Sequence, residues 1–135
     1  MNAATRRRIL DRAGNRCEYC RLPQDSAPVI RFQIEHVLPR QHGGGDSIKN
    51  LALACPRCNR YKGPNLTGID PRTKRIVALF NPRTQVWATH FELRGVLIVG
   101  RTAIGRATVR VLQMNVEDRL KLRAALRDAG ESFGE

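Results

Sequence analysis

Two C-x-x-C pairs, Cys17 with Cys20 and Cys55 with Cys58, account for all four cysteines of the 135-residue sequence and restrict its fold more than any other feature. Each pair presents two sulfurs from one turn, and two such knuckles supply the four ligands of a tetrahedral zinc ion. Four protein ligands leave no position for water, so the expected zinc is structural. The 34 residues between the pairs (21–54) exceed the roughly 15–20 of an ordinary zinc ribbon, so a substantial unit is inserted between the knuckles. Two disulfides are the competing reading, disfavoured in a reducing compartment. A thioredoxin-like redox pair accounts for one C-x-x-C and leaves the second unexplained.

A metal is useful to a chain of this kind. Its hydrophobic fraction is 41% and its aromatic fraction 5%, which allows only a thin core, and small domains often add a metal or disulfides. The charge is lopsided: 24 Lys and Arg face 12 Asp and Glu, a formal net charge of +12. Arginine dominates the cations, and its planar fork matches phosphate. A polyanionic partner, nucleic acid above all, is expected, against the alternative of a merely basic protein. No apolar run is long enough to span a membrane, and the basic start MNAATRRRIL carries no apolar signal region, so the cytoplasm is the expected compartment.

The order of elements is α+β. Residues 5–14 read as a basic helix with Thr5 as N-cap and Gly14 as stop. Residues 22–28 are a loop with two prolines. VIRFQIEHV (29–37) alternates as a strand does, PRQHGGGDS (39–47) is a glycine-rich loop, and LALA (51–54) is a second strand. PRCNRYK (56–62) reads as a short helix, with Pro56 in its first turn and Gly63 at its end. A polar connector (63–74) marks a boundary between a unit at 1–63 and an extension at 64–135 packed on it. In the extension, 75–80, 86–93 and 96–100 suggest a small antiparallel meander. Helices are expected at 102–114, weakened by Gly105, and at 116–129, with Asn115 as N-cap and Gly130 as stop. On the last helix Leu122, Ala125, Leu126 and Ala129 share one face.

The insert between the knuckles carries chemistry. Glu35 and His36 end the first strand, Asn50 precedes the second, and Asn59 follows the last cysteine. A carboxylate beside an imidazole, with a carboxamide on the facing helix, has the makings of a metal-assisted hydrolysis site. The stretch IEHVLPRQHGGGDSIKNLALACPRCNRYKG resembles the HNH endonuclease motif in its HNN form with flanking zinc knuckles. From His36 the spacing is 14 residues to Asn50 and 23 to Asn59, as in that family, and the likeness covers residues 17–63.

The resemblance implies a ββα-metal core stapled by the four-cysteine zinc, and a metal-dependent endonuclease that hydrolyses DNA to 5′-phosphate and 3′-hydroxyl ends. It makes His36 the general base, Glu35 and Asn59 the ligands of a catalytic divalent ion, and Asn50 the brace of the loop. The residues agree with it. An imidazole exchanges protons near neutral pH, and the oxygen donors of Glu35 and Asn59 suit Mg²⁺ or Mn²⁺. The family usually carries Asp where this chain has Glu35, whose extra methylene carries the carboxylate about 1.5 Å further out. Arg57, Arg60 and Lys62 beside the metal helix, and His42 in the glycine loop, are the candidate DNA contacts, a solvated basic face being the alternative. His90 and Trp87 read as packing residues. A zinc-ribbon DNA-binding module without catalysis is the alternative function, and a zinc-stabilised protein-interaction domain a third. Both leave Glu35, His36, Asn50 and Asn59 unexplained.

Overall fold

A computed structural model describes residues 1–26 and 29–133. The stretch 27–28 of the proline-containing loop lies outside the described residues. Helix α1 (Ala3–Arg12) opens the chain. Its cap is Asn2, whose side chain accepts from the Thr5 amide at 2.8 Å, so Thr5 lies inside the first turn instead of capping it. Gly14, at φ +65°, ends the helical run and turns the chain into the first knuckle.

Strand β1 (Gln33–His36) pairs antiparallel with β2 (Leu51–Ala54), Glu35 opposite Ala52 and His36 opposite Leu51. β1 is shorter than the alternating stretch 29–37. Gln24 takes the backbone before it, donating to the Ile30 carbonyl and accepting from the Phe32 amide. Val29 is left 94% exposed. Helix α2 (Pro56–Lys62) follows β2 with the expected bounds, and the Cys55 sulfur caps it by accepting from the Cys58 amide.

The expected meander is replaced by two separate hairpins. β3 (Thr67–Ile69), within the presumed connector, pairs with β4 (Ile76–Ala78); β5 (Phe91–Arg94) pairs with β6 (Leu97–Gly100). Residues 86–93 do not form one strand. Trp87 begins a single helical turn, α3 (Trp87–His90), and its indole donates to the Tyr19 carbonyl at 2.8 Å. That tertiary bond overrides the β-propensity of the segment. Helix α4 (Ala103–Val111) packs against both hairpins, which keeps them apart. Gly105 is required there: a Cβ would stand 1.9 Å from the His90 carbonyl oxygen.

Helix α5 (Glu117–Asp128) closes the chain with Val116 at its N-cap. Asn115 does not cap it; its carboxamide bonds both backbone groups of Ile98 instead. The apolar stripe read from the sequence is not the packed face either. Leu122 is 40% exposed, whereas Arg119 and Arg123 are buried.

One hydrophobic cluster joins both halves. Ile9, Tyr19, Phe32 and Leu53 meet Phe80, Trp87, Phe91 and Leu112. Trp87 stacks on Phe91 with centroids 5.1 Å apart, and Phe80 meets Phe91 edge-on at 5.2 Å. Tyr19, between the first two cysteines, reaches this aromatic group through Phe80. No helix of the described residues is long and apolar enough to cross a membrane.

Candidate active site and metal centre

The two knuckles converge. The Sγ atoms of Cys17, Cys20, Cys55 and Cys58 all lie within 4.8 Å of one another, and all four residues are buried. The Cys20 and Cys55 sulfurs are 3.7 Å apart. A tetrahedral zinc with Zn–S near 2.3 Å places its sulfurs about 3.8 Å apart, so the donors fit that ion. Within each pair the later cysteine's amide donates to the earlier sulfur, Cys20 to Cys17 and Cys58 to Cys55. Burial pushes the Cys17 and Cys58 thiols up, while hydrogen bonds from Cys17, Cys55 and Cys58 hold Cys20 down. A divalent ion binding here displaces the remaining thiol protons. The first knuckle is tied to β2, since the Glu18 amide donates to the Leu53 carbonyl and the Glu18 carboxylate accepts from the Leu53 amide.

The hairpin and α2 bring the reactive residues together. Glu35, His36 and Asn59 line one open groove of about 520 Å³, with Arg40 and Arg60 on its walls. Asn50 stands behind it as a brace. Its carboxamide donates to the carbonyls of Leu38 and Gly45 and accepts from the Leu38 amide, all within 2.8–3.0 Å. The loop it holds must pass close to itself at Gly44, where a Cβ would collide with the Leu38 carbonyl oxygen at 1.6 Å.

His36 is held on one side. Its Nε2 lies 2.7 Å from the Asp46 carboxylate and 3.4 Å from Arg40 Nε. With its proton on Nε2 the ring donates to Asp46 and leaves Nδ1 as an acceptor. Asp46 also accepts from Arg40, and these two partners hold its carboxyl below the usual range, His36 contributing most.

Glu35 is buried and doubly engaged. The Tyr19 hydroxyl donates to one oxygen and the Lys62 ammonium to the other, the latter at 3.0 Å. Burial raises its pKa, against the pull of Lys62 and then Tyr19. Lys62 is 2% exposed and donates as well to the carbonyls of His36 and Val37. Its ammonium therefore faces inward and offers nothing to an external phosphate in this structure. Asn59 donates through its side-chain nitrogen to the Gln33 side chain and lines the groove. Of the other cations, Arg60 is exposed, Arg57 is half-buried and paired with Asp118, and His42 is exposed on the loop.

Sequence reading missed Asp46, Tyr19 and Gln33. Asp46 carried a signal: an acid beside the glycines of a loop that returns toward His36. Tyr19 lay unread inside a metal knuckle, and Gln33 alternates with Glu35 on the same face of β1.

The family model described as HNH endonuclease matches residues 17–65. The resemblance read from the motif therefore holds over that segment, in which the two strands, α2 and the four cysteines lie. A curated relative, the Septu protein PtuB of Bacillus thuringiensis, is 29% identical over 116 residues. That alignment takes in 83% of this chain and 41% of PtuB, so the chain spans less than half the length of that relative. No solved structure matches.

Proposed function

We propose that the chain is a metal-dependent DNA endonuclease whose base is His36. The observation that carries this reading is the convergence of Glu35, His36 and Asn59 on one groove within the segment that matches the HNH model. Asp46 fixes the imidazole ring, so that Nδ1 accepts the proton of a water attacking the phosphodiester in line. Asn50 keeps the loop, and with it Asp46, in register with the strand. Arg60 and Arg40 hold neighbouring phosphates.

The donor set fits a hard cation. Each Glu35 oxygen accepts one hydrogen bond and retains a lone pair, and Asn59 offers its carbonyl oxygen. A bound Mg²⁺ or Mn²⁺ supplies charge neutralisation at the pentavalent phosphate and the leaving 3′ oxygen. The four-cysteine centre holds structural zinc. Because Lys62 already neutralises Glu35, the carboxylate attracts a divalent ion less than a free one does, and binding should be weak and exchangeable. Lys62 thus serves to position Glu35 and the backbone at His36 instead of contacting DNA.

The engaged state of Glu35 is the one observation that favours a zinc-bearing DNA-binding module without catalysis. Incubation of the purified protein with supercoiled plasmid separates the two. Nicking that appears with added Mg²⁺ or Mn²⁺ and stops with EDTA is expected. Retardation of the plasmid with no cleavage at any metal concentration would establish the module instead.

A further inference from the structure

We infer that Arg119 and Arg123, both on α5, belong to the four-cysteine metal centre. They act as two buried cations that offset its charge and make docking of the C-terminal helix conditional on the metal. The inference does not depend on nuclease activity. Arg119 is 6% exposed and Arg123 4%. Buried guanidinium groups are stable only when their charge is met. Among the described residues neither one forms an ion pair with a carboxylate; Asp118, which precedes Arg119 on the same helix, is committed to Arg57. Neutral oxygens satisfy part of their hydrogen bonding, the Leu112 carbonyl for Arg119, and the Val96 carbonyl and Asn115 carboxamide for Arg123. Carbonyls and carboxamides carry no net charge, however, so two positive charges remain.

The missing counter-charge lies beside them. Arg119 Nη2 donates to the Cys58 sulfur at 3.1 Å, with the Cys55 sulfur at 3.9 Å. Arg123 lines the same small apolar groove as Cys20 and Cys55. Four thiolates around one Zn²⁺ carry a net charge of −2, and the two guanidinium groups balance it. The sequence pattern of α5 then has a physical reason. The helix turns its arginines inward and leaves Leu122 at the surface because it packs on a charged centre. Hydrogen bonds to ligating sulfurs tune and hold a metal centre, and their loss typically weakens binding about 10–100-fold.

Zinc release to a chromogenic chelator tests the assignment. Arg119→Met should release zinc at least about tenfold faster than wild type, with Arg119→Lys between the two. Asp118→Asn, which cuts only the surface tie between α2 and α5, should release it at the wild-type rate. Cobalt supplies a second reading. In Co²⁺-loaded Arg119→Met the thiolate-to-metal charge-transfer band should move to longer wavelength, because a sulfur that loses a donor is the better electron source. Should Arg119→Met fail to fold, hydrogen exchange of wild-type protein answers the same question. Zinc removal should strip protection from residues 117–128. Equal zinc release by Arg119→Met and wild type, or an α5 that stays protected after zinc is gone, would overturn the inference.

Discussion

Residues 17–63 and residues 64–135 both bury charge, and they do so for different ends. In the first region the buried charges surround reactive groups: Lys62 and Tyr19 hold Glu35 beside His36, and Glu18 anchors a metal knuckle to β2. In the second, Asp70 is fully buried and paired with Arg106, where it organises the turn between β3 and β4, while the buried Arg119 donates to the Cys58 sulfur and the buried Arg123 to Val96 and Asn115. The first region is made of strands of four residues and a helix of seven, too short to persist alone. The second has helices of nine and twelve residues and most of the aromatic packing. Chemistry dictates position in one region and packing does so in the other.

The largest effect should come from breaking the metal centre. Structural zinc contributes on the order of 10–16 kcal/mol, as much as a domain's whole stability of about 5–15 kcal/mol. Cys58→Ser should lose zinc, and residues 17–63, together with the α5 docked on the metal centre, should then exchange their amides at nearly unfolded rates. A zinc-free protein with those residues still protected would erase the contrast between the regions.

Next in size is His36→Ala. Loss of a general base costs about 10²–10⁴ in rate, while the fold, held elsewhere, should keep its zinc and its DNA affinity. Plasmid nicking over a Mg²⁺ or Mn²⁺ titration is the measurement, and added metal should not restore the rate. Asn59→Ala should be partly restored by metal, since its role is that of a ligand. Wild-type cleavage by His36→Ala would remove His36 from the mechanism.

The same contrast explains what could be read in advance. Cys17, Cys20, Cys55 and Cys58 sit at the paired spacing of a metal site, and α2 and β2 were legible to the residue because Pro56 and Gly63 bracket one and a short apolar run forms the other. The HNH likeness then placed Glu35, His36, Asn50 and Asn59 near one another. It could not show that Lys62 would turn inward, because a lysine in a basic stretch looks the same whether it meets phosphate or a buried carboxylate. In the extension the signals were weaker. β3 was hidden in a polar connector whose shape depends on Asp70, and α3 depends on a bond from Trp87 to a carbonyl 68 residues away. Periodicity misassigned the packed face of α5 because arginines took the inward positions.

Asp70 offers a smaller and pH-dependent test within the extension. The paired Arg106 holds its carboxyl far below the usual range, with burial opposing and Thr73 assisting. An unfolded Asp titrates near pH 3.9. A carboxyl depressed below that value contributes stability that is fully present above about pH 5 and is lost as pH falls toward the folded value. Asp70→Asn should lower Tm by about 5 °C or more at pH 7. The gap from wild type should narrow below about pH 4, since acid removes the same pair. Parallel melting curves down to pH 3 would mean that the pair carries no linkage.

The smallest expected effect, that of Leu122→Ala, separates packing from periodicity when set against Leu112→Ala. Leu112 has no exposed surface and joins the common core, whereas Leu122 lies on the face of α5 that the sequence pattern marks as apolar and is 40% exposed. Deleting a buried leucine side chain typically costs about 2–5 kcal/mol, from lost transfer energy and the cavity left behind. Deleting one at a half-open surface leaves no cavity and costs within about 1 kcal/mol. Leu112→Ala should therefore shift the urea midpoint strongly and Leu122→Ala hardly at all, with the slope of the transition unchanged in both. If Leu122→Ala matched Leu112→Ala, the apolar stripe would be the packed face after all, and α5 would be held by ordinary hydrophobic burial. If it stayed near wild type, what fixes α5 would have to lie on its other side, where Arg119 reaches the Cys58 sulfur and Arg123 is buried beside it.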